Sequence, residues 1–170
     1  VLSKHLIKIK QKHIFNPANF GILLVSVIFG AKHTWWISSP LILASIFGIF
    51  VIWKLRKFDL TVSFLVSYSL VSSLTVILKG AQFSEIYNSI INGGVIFFFS
   101  MYMLIEPKTH PAGRKQRIVY GALVAVLFIV FSIFIPEHDL PLALAICNIL
   151  VPLFNKWKLM ESANLPTALL

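Results

Sequence analysis

The sequence predicts an all-α integral membrane protein of about six hydrophobic helical segments, and three observations carry that reading. Of its 170 residues, 58% are hydrophobic and only 12% charged, with a mean hydropathy of +0.86, a balance that excludes a soluble domain. The apolar runs are continuous rather than alternating, which excludes a transmembrane barrel. Helices are then the way to satisfy the backbone within lipid.

The segments run from Pro17 to Ala31, Pro40 to Trp53, Leu60 to Leu78, Ile86 to Ile105, Ile118 to Ile135 and Leu140 to Phe154. The first, second and sixth fall short of the roughly 20 apolar residues that cross a hydrocarbon core. Some helices are therefore expected to be short, broken or tilted. The resulting organisation is a basic cytoplasmic interfacial segment over 1–13, a transmembrane helical domain over 14–155 and a cytoplasmic tail over 156–170.

In the leading segment, Leu2, Leu6 and Ile9 share one helical face while Lys4, Lys8 and Lys12 share the other. Two readings stand, an amphipathic helix on the interface and a connector from an upstream helix. Val1 is not an initiator methionine, and no apolar core with a small-residue cleavage site follows the lysines. The chain is expected to begin inside a longer protein.

Asn16 is placed as the N-cap of the first helix, with Pro17 at its first position. The run that follows gives only about 22 Å of helix. It reads either as one half of a discontinuous helix, whose free N–H groups can hold a polar ligand, or as an ordinary tilted helix. The third segment carries Ser63, Ser67, Tyr68, Ser69, Ser72, Ser73 and Thr75. Hydroxyls at this density mark close helix packing or a polar path through the bundle. Asn92-Gly93-Gly94 in the fourth segment suggests close backbone approach, with an amide in need of a buried partner.

Between the fourth and fifth segments lies the polar stretch from Glu106 to Arg117, where Pro107, Pro111 and Gly113 prevent one helix from running through. Placing loops alternately on the two sides gathers Lys4, Lys8, Lys10, Lys12, Lys54, Arg56, Lys57, Lys108, Arg114, Lys115, Arg117, Lys156 and Lys158 on one of them. Only Lys32 and Lys79 fall opposite, with Glu85, Glu137 and Asp139. The positive-inside rule then orients a multi-pass protein of the plasma membrane, the inner membrane of the cell, with both ends of the chain cytoplasmic. The net charge of +9 thus reads as a topology signal and an attraction to anionic lipid, without nucleic acid as a partner.

No Asp, Glu, Lys or Arg occupies the middle of any segment, so an ion path would have to use hydroxyls, amides, backbone groups or another subunit. His5, His13, His33, His110 and His138 lie in loops or at interfaces without the spacing of a metal-binding helix. No metal is expected in this chain. Cys147 is the sole cysteine, which leaves no intrachain disulfide or iron–sulfur cluster and reads as a small apolar packer. Phe97, Phe98, Phe99, Tyr102, Trp35 and Trp36 read as interfacial anchors or as stacking surfaces for a flat cofactor.

Together the segments resemble the RnfD/NqrB family, membrane subunits of ion-translocating electron-transport complexes. Phe15-Asn16-Pro17-Ala18 with Gly21 is similar to the family's F-N-P-A-x-x-G. Asn92-Gly93-Gly94, Phe97 to Ile105 and then Glu106-Pro107 resemble its S-G-G...F-F-x-x-T-D-P, with glutamate in place of the aspartate. Gly121-Ala122-Leu123 and Asn148-Ile149-Leu150-Val151-Pro152-Leu153 resemble its G-A-L and N-I-C-V-P-L. The resemblance spans about Ile14 to Asn155. It implies half or more of an inverted-repeat helical bundle, other membrane subunits of a redox complex as partners, and FMN or another flavin as cofactor. Relatives attach FMN through phosphate to the threonine of S-G-A-T. That motif is absent, and the nearest candidate is Thr34 in Gly30-Ala31-Lys32-His33-Thr34, which also reads as a capping or loop residue.

The structural motif residues are therefore Asn16, Pro17, Asn92, Gly93, Gly94, Glu106, Pro107, Asn148 and Pro152, with no catalytic residue assigned. The leading reading is a divergent, truncated subunit that scaffolds or carries flavin-mediated electron transfer, coupled to ion translocation. The rivals are a transporter or channel for a small neutral solute and a noncatalytic membrane partner.

Overall fold

In a computed structural model, the structure describes residues 8–9, 12–31, 41–78, 80 and 94–163. Asn16 starts the first helix: its Oδ1 accepts from the backbone N–H groups of Ala18 at 3.0 Å and Asn19 at 3.2 Å. Pro17 follows at the first helical position, where its missing N–H costs nothing. Helix α1 spans Pro17–Phe29 and ends at Gly30, whose φ of 62° is a left-handed cap.

Helices α2 (Leu41–Leu55) and α3 (Phe58–Leu78) meet at a tight turn. The N–H of Lys57 bonds to the Ile52 carbonyl and that of Arg56 to Trp53, each at 3.2 Å, which satisfies two carbonyls at the end of α2. Helix α4 (Gly94–Phe98) continues as a π-helical turn over Phe99–Met103. Helices α5 (Arg114–Phe134) and α6 (Asp139–Ala163) follow.

Among the described residues, three helices are long and apolar enough to cross a membrane: α3, α5 and α6 from Asp139 to Glu161. At 1.5 Å per residue the first two reach about 31 Å. Shorter apolar helices accompany them at Pro17–Phe29, Leu43–Leu55 and Gly94–Met103. The protein is an all-α membrane protein with short segments, as its composition predicts.

The core is built where α3, α5 and α6 pack, around Leu60, Phe64, Tyr120, Val124, Ala125 and Leu144. Gly121 sets the α3–α5 distance, since a Cβ there would stand 2.8 Å from the Leu60 carbonyl oxygen. Ser63 Oγ donates to the Ile118 carbonyl beside it, and Thr61 Oγ1 donates to the Ser100 carbonyl at 3.2 Å. These hydroxyls act in packing. Outward faces of α2, α3 and α5 carry exposed Leu, Ile, Val and Phe.

Two readings are revised. Of the alternatives open for the first dozen residues, the helix is not what the described part forms: Lys8–Ile9 (β1) and Lys12–His13 (β2) pair antiparallel, Lys8 with His13 and Ile9 with Lys12. So short an isolated stretch cannot sustain helix nucleation, and His13 is pinned by a distant partner described below. The second correction concerns α6, which runs past Phe154 and through Pro152 to Ala163. Glu161 holds this extension, bonding to Lys115 and, at 3.2 Å, to Gln116 on the first turn of α5. Hydrophobicity marks where lipid ends, not where a helix must.

Candidate functional site

The motif blocks meet at one end of the bundle. Asn16 Nδ2 donates to the Met103 carbonyl at 3.0 Å, so the residue that starts α1 also ties down the end of the π-helical turn. Just beyond, Glu106 Oε1 lies 3.1 Å from His13 Nε2. The loop then folds inward: Thr109 and His110 are buried, and Thr109 bonds through both its N–H and its hydroxyl to the Glu106 carbonyl.

Asn148 on α6 closes the junction. Its amide orientation follows from its partners, with Nδ2 donating to Tyr120 Oη at 2.6 Å and to the Thr109 carbonyl at 2.9 Å, while Oδ1 accepts from the Asn16 N–H at 3.2 Å. Tyr120 Oη passes its own proton to the Thr109 carbonyl at 3.3 Å. One buried amide therefore joins α1, the polar loop, α5 and α6. Two turns along α6, Asn155 Oδ1 accepts from the Ala112 N–H at 3.0 Å, so one face of that helix holds the whole loop. Pro152 has no N–H for the Asn148 carbonyl four residues earlier, a local break in the helical ladder at the same point.

Asn16, Glu106 and Asn148 are thus brought together, with Pro17, Pro107 and Pro152 shaping the backbone around them. Gly94 is buried at the described start of α4, roughly 13 Å along the helix from the junction. Asn92, Gly93 and Thr34 lie outside the described residues. Composition and motif reasoning passed over His13, Thr109 and Tyr120. Only adjacency to Asn16, Glu106 and Gly121 in the sequence could have marked them.

Charge collects at this end. Arg117 binds Asp59 at 2.6 Å, pairing α5 with α3. Lys54, Arg56, Arg114 and Arg117 line one open cavity of about 510 Å³, and Lys57, Lys108, Lys156, His13 and His110 line another of about 740 Å³. Burial is the main cause of a His110 pKa of about 4, against an ordinary 6.5; Lys57 and Arg117 reinforce it, while the contact with the Pro111 carbonyl opposes it. Lys57 is itself held below an ordinary lysine, first by burial and then by Arg117. Asn19 Nδ2, in the first turn of α1, donates to the Pro141 carbonyl at 2.8 Å, and toward the opposite end Ser26 Oγ meets His138 Nδ1 at 2.7 Å, locking α1 to α6.

Residues 38–162 match the NQR2, RnfD, RnfE family over most of the chain's length. The chain belongs to that family. It is thereby a membrane subunit of the Rnf and Nqr type. The match holds the E-P, G-A-L and N-I-L-V-P-L blocks, while the F-N-P-A block lies upstream and joins them through Asn16. No individual curated protein matches the chain.

A flavin, which the family resemblance implies, needs a flat slot between aromatic or apolar walls. Among the described residues those side chains are engaged with one another. Phe98 stacks on Tyr102 with centroids 5.0 Å apart, Tyr102 Oη donates to the Ala44 carbonyl at 2.8 Å, and Phe99 packs on Phe64 at 5.4 Å. These aromatic residues do not fit an isoalloxazine ring, and no electron-transfer step is assigned to them.

Proposed function

We propose that this chain is a scaffolding membrane subunit of an ion-translocating electron-transport complex of the Rnf/Nqr type. The observation that carries the reading is the convergence of separated family blocks on the junction of Asn16, Glu106 and Asn148, which fixes the relative positions of α1, the polar loop, α5 and α6. The physical contribution is rigidity: a hydrogen-bonded, largely buried junction at one end of the bundle, and exposed apolar helix faces for lipid and for neighbouring membrane subunits.

The reading puts the basic end on the cytoplasmic side of the plasma membrane, supported by the gathering of Lys54, Arg56, Lys57, Lys108, Arg114 and Lys156 around adjoining cavities. It gives the chain other membrane subunits of a redox complex as partners. FMN or another flavin, held noncovalently or with Thr34 as the nearest candidate for attachment, belongs to the same proposal; a bound flavin would supply one- and two-electron transfer to the complex.

The test is co-expression with the products of adjacent genes. Co-purification with redox subunits, and flavin absorbance in the assembly, are expected. Recovery of the chain alone, with neither a redox partner nor flavin, overturns the reading. In-gel fluorescence that disappears in Thr34→Ala would support attachment at that residue. Solute flux in liposomes that ignores redox state would favour the channel instead.

A further inference from the structure

The cavity of about 740 Å³ at the basic end has a chemistry that the scaffolding role does not use. Its wall includes Lys57 from the α2–α3 turn, Lys108 and His110 from the polar loop, and Lys156 from α6. These lysines form no ion pair among the described residues. The nearby carboxylates do not line the cavity and are engaged elsewhere through one oxygen each, Glu106 with His13 and Asp59 with Arg117. The cavity is a concentration of positive charge with no counter-charge of its own.

His110 adds a second, independent feature. The side chain is 6% exposed, its Nδ1 lies 2.9 Å from the Pro111 carbonyl, and its Nε2 is buried without a partner. A carbonyl can only accept, so Nδ1 carries the proton and Nε2 presents a lone pair in the neutral ring. A buried polar atom left so is unfavourable unless a ligand or water meets it. Near neutral pH the ring has no charge, because burial, Lys57 and Arg117 all disfavour protonation, with Asp59 the opposing neighbour.

We propose that this cavity binds a phosphate group, with Lys57, Lys108 and Lys156 neutralising its charge and His110 Nε2 completing its hydrogen bonds. Phosphate suits both features. Free phosphate donates its hydroxyl to the Nε2 lone pair; a phosphatidylglycerol headgroup, a diester with no P–OH, donates there through its glycerol hydroxyl while its phosphate meets the lysines. Acceptor-only anions without a proton, such as chloride, meet only the charge.

The group can reach the cavity from two sources, a phospholipid headgroup or free phosphate. The wall continues into the exposed apolar side of α6, where Leu153 and Leu159 stand beside Pro152 and Lys156. That continuity suits a headgroup whose acyl chains run down α6, with exposed Trp157 at the interface. This proposal does not depend on the redox assignment.

The experiment compares the purified full chain in nanodiscs of phosphatidylcholine alone and with one third phosphatidylglycerol, and separately titrates inorganic phosphate in the first. Imidazole NMR of His110 and native mass spectrometry of retained lipid are the readouts. Retention of phosphatidylglycerol, with a shifted His110 signal, identifies the headgroup. A His110 shift with inorganic phosphate but no lipid retention identifies free phosphate. Lys108→Ala with Lys156→Ala, both exposed positions, should weaken either response by roughly tenfold or more. Lys54→Ala, which lines the other cavity, should leave it unchanged. Equal responses in these two variants, or no His110 shift with either probe, overturn the proposal.

Discussion

His13 Nε2 lies 3.1 Å from Glu106 Oε1, a contact that joins positions 93 residues apart where the chain enters the bundle. Both side chains are largely withdrawn from water, so removing either partner strands the other. In a double-mutant cycle with His13→Ala and Glu106→Ala, unfolding in detergent should show a coupling of about 1–3 kcal/mol. Glu106→Asp restores the family's residue but is one methylene shorter, and should lose most of that coupling. Additive single mutants would refute the pairing.

Asn148 is the residue on which the most groups depend. Asn148→Leu keeps the volume but removes three hydrogen bonds at once: the Asn16 N–H loses its partner, and Tyr120 Oη and the Thr109 carbonyl keep only each other. The expected loss is about 3 kcal/mol or more, read as a lower unfolding temperature. Tyr120→Phe should cost about 1–2 kcal/mol, since the amide retains two of its three contacts.

Gly121 can be tested by volume alone. Gly121→Val forces a side chain toward the Leu60 carbonyl and must separate α3 from α5. A destabilisation of about 2 kcal/mol or more is expected. Unchanged thermal stability would mean that the two helices do not approach so closely.

Arg56 occupies the left-handed region at φ 54°, in the position that ends α2. L-residues incur about 1–2 kcal/mol in that conformation, of which glycine is relieved at some entropic cost. Arg56→Gly is therefore expected to stabilise the protein by about 0.5–1 kcal/mol, whereas Arg56→Pro should destabilise it sharply.

His110 gives the protein a specific acid sensitivity. It takes its proton near pH 6.5 in the unfolded chain but only near 4 in the fold, so between these values the unfolded state holds more protons. Stability should be flat above about 6.5 and fall as pH drops toward 4, by up to about 3 kcal/mol from this group. His110→Phe should flatten that part of the pH profile of unfolding. A profile identical to the parent's would assign the sensitivity elsewhere.

Much of the architecture was legible before any coordinates. The N-cap at Asn16, Pro17 at the first helical position and the end of the first helix near Gly30 follow from local steric and hydrogen-bonding preferences of single residues. Periodicity over a dozen residues could not choose between the two readings of the leading segment, where Lys8–Ile9 pairs with Lys12–His13. The end of α6 was placed too early because hydropathy is blind to Glu161 meeting Lys115 and Gln116.

The sequence by itself determined the membrane class, the helical backbone and the family, because each is written in composition, in continuous apolar runs or in short ordered motifs. Which polar residues find one another was decided only by tertiary structure. Asn16, Glu106, Tyr120 and Asn148 are far apart along the chain, and a hydrogen bond is satisfied by angle and distance in space. The fold alone turns His110 inward and gathers Lys57, Lys108 and Lys156 around one cavity.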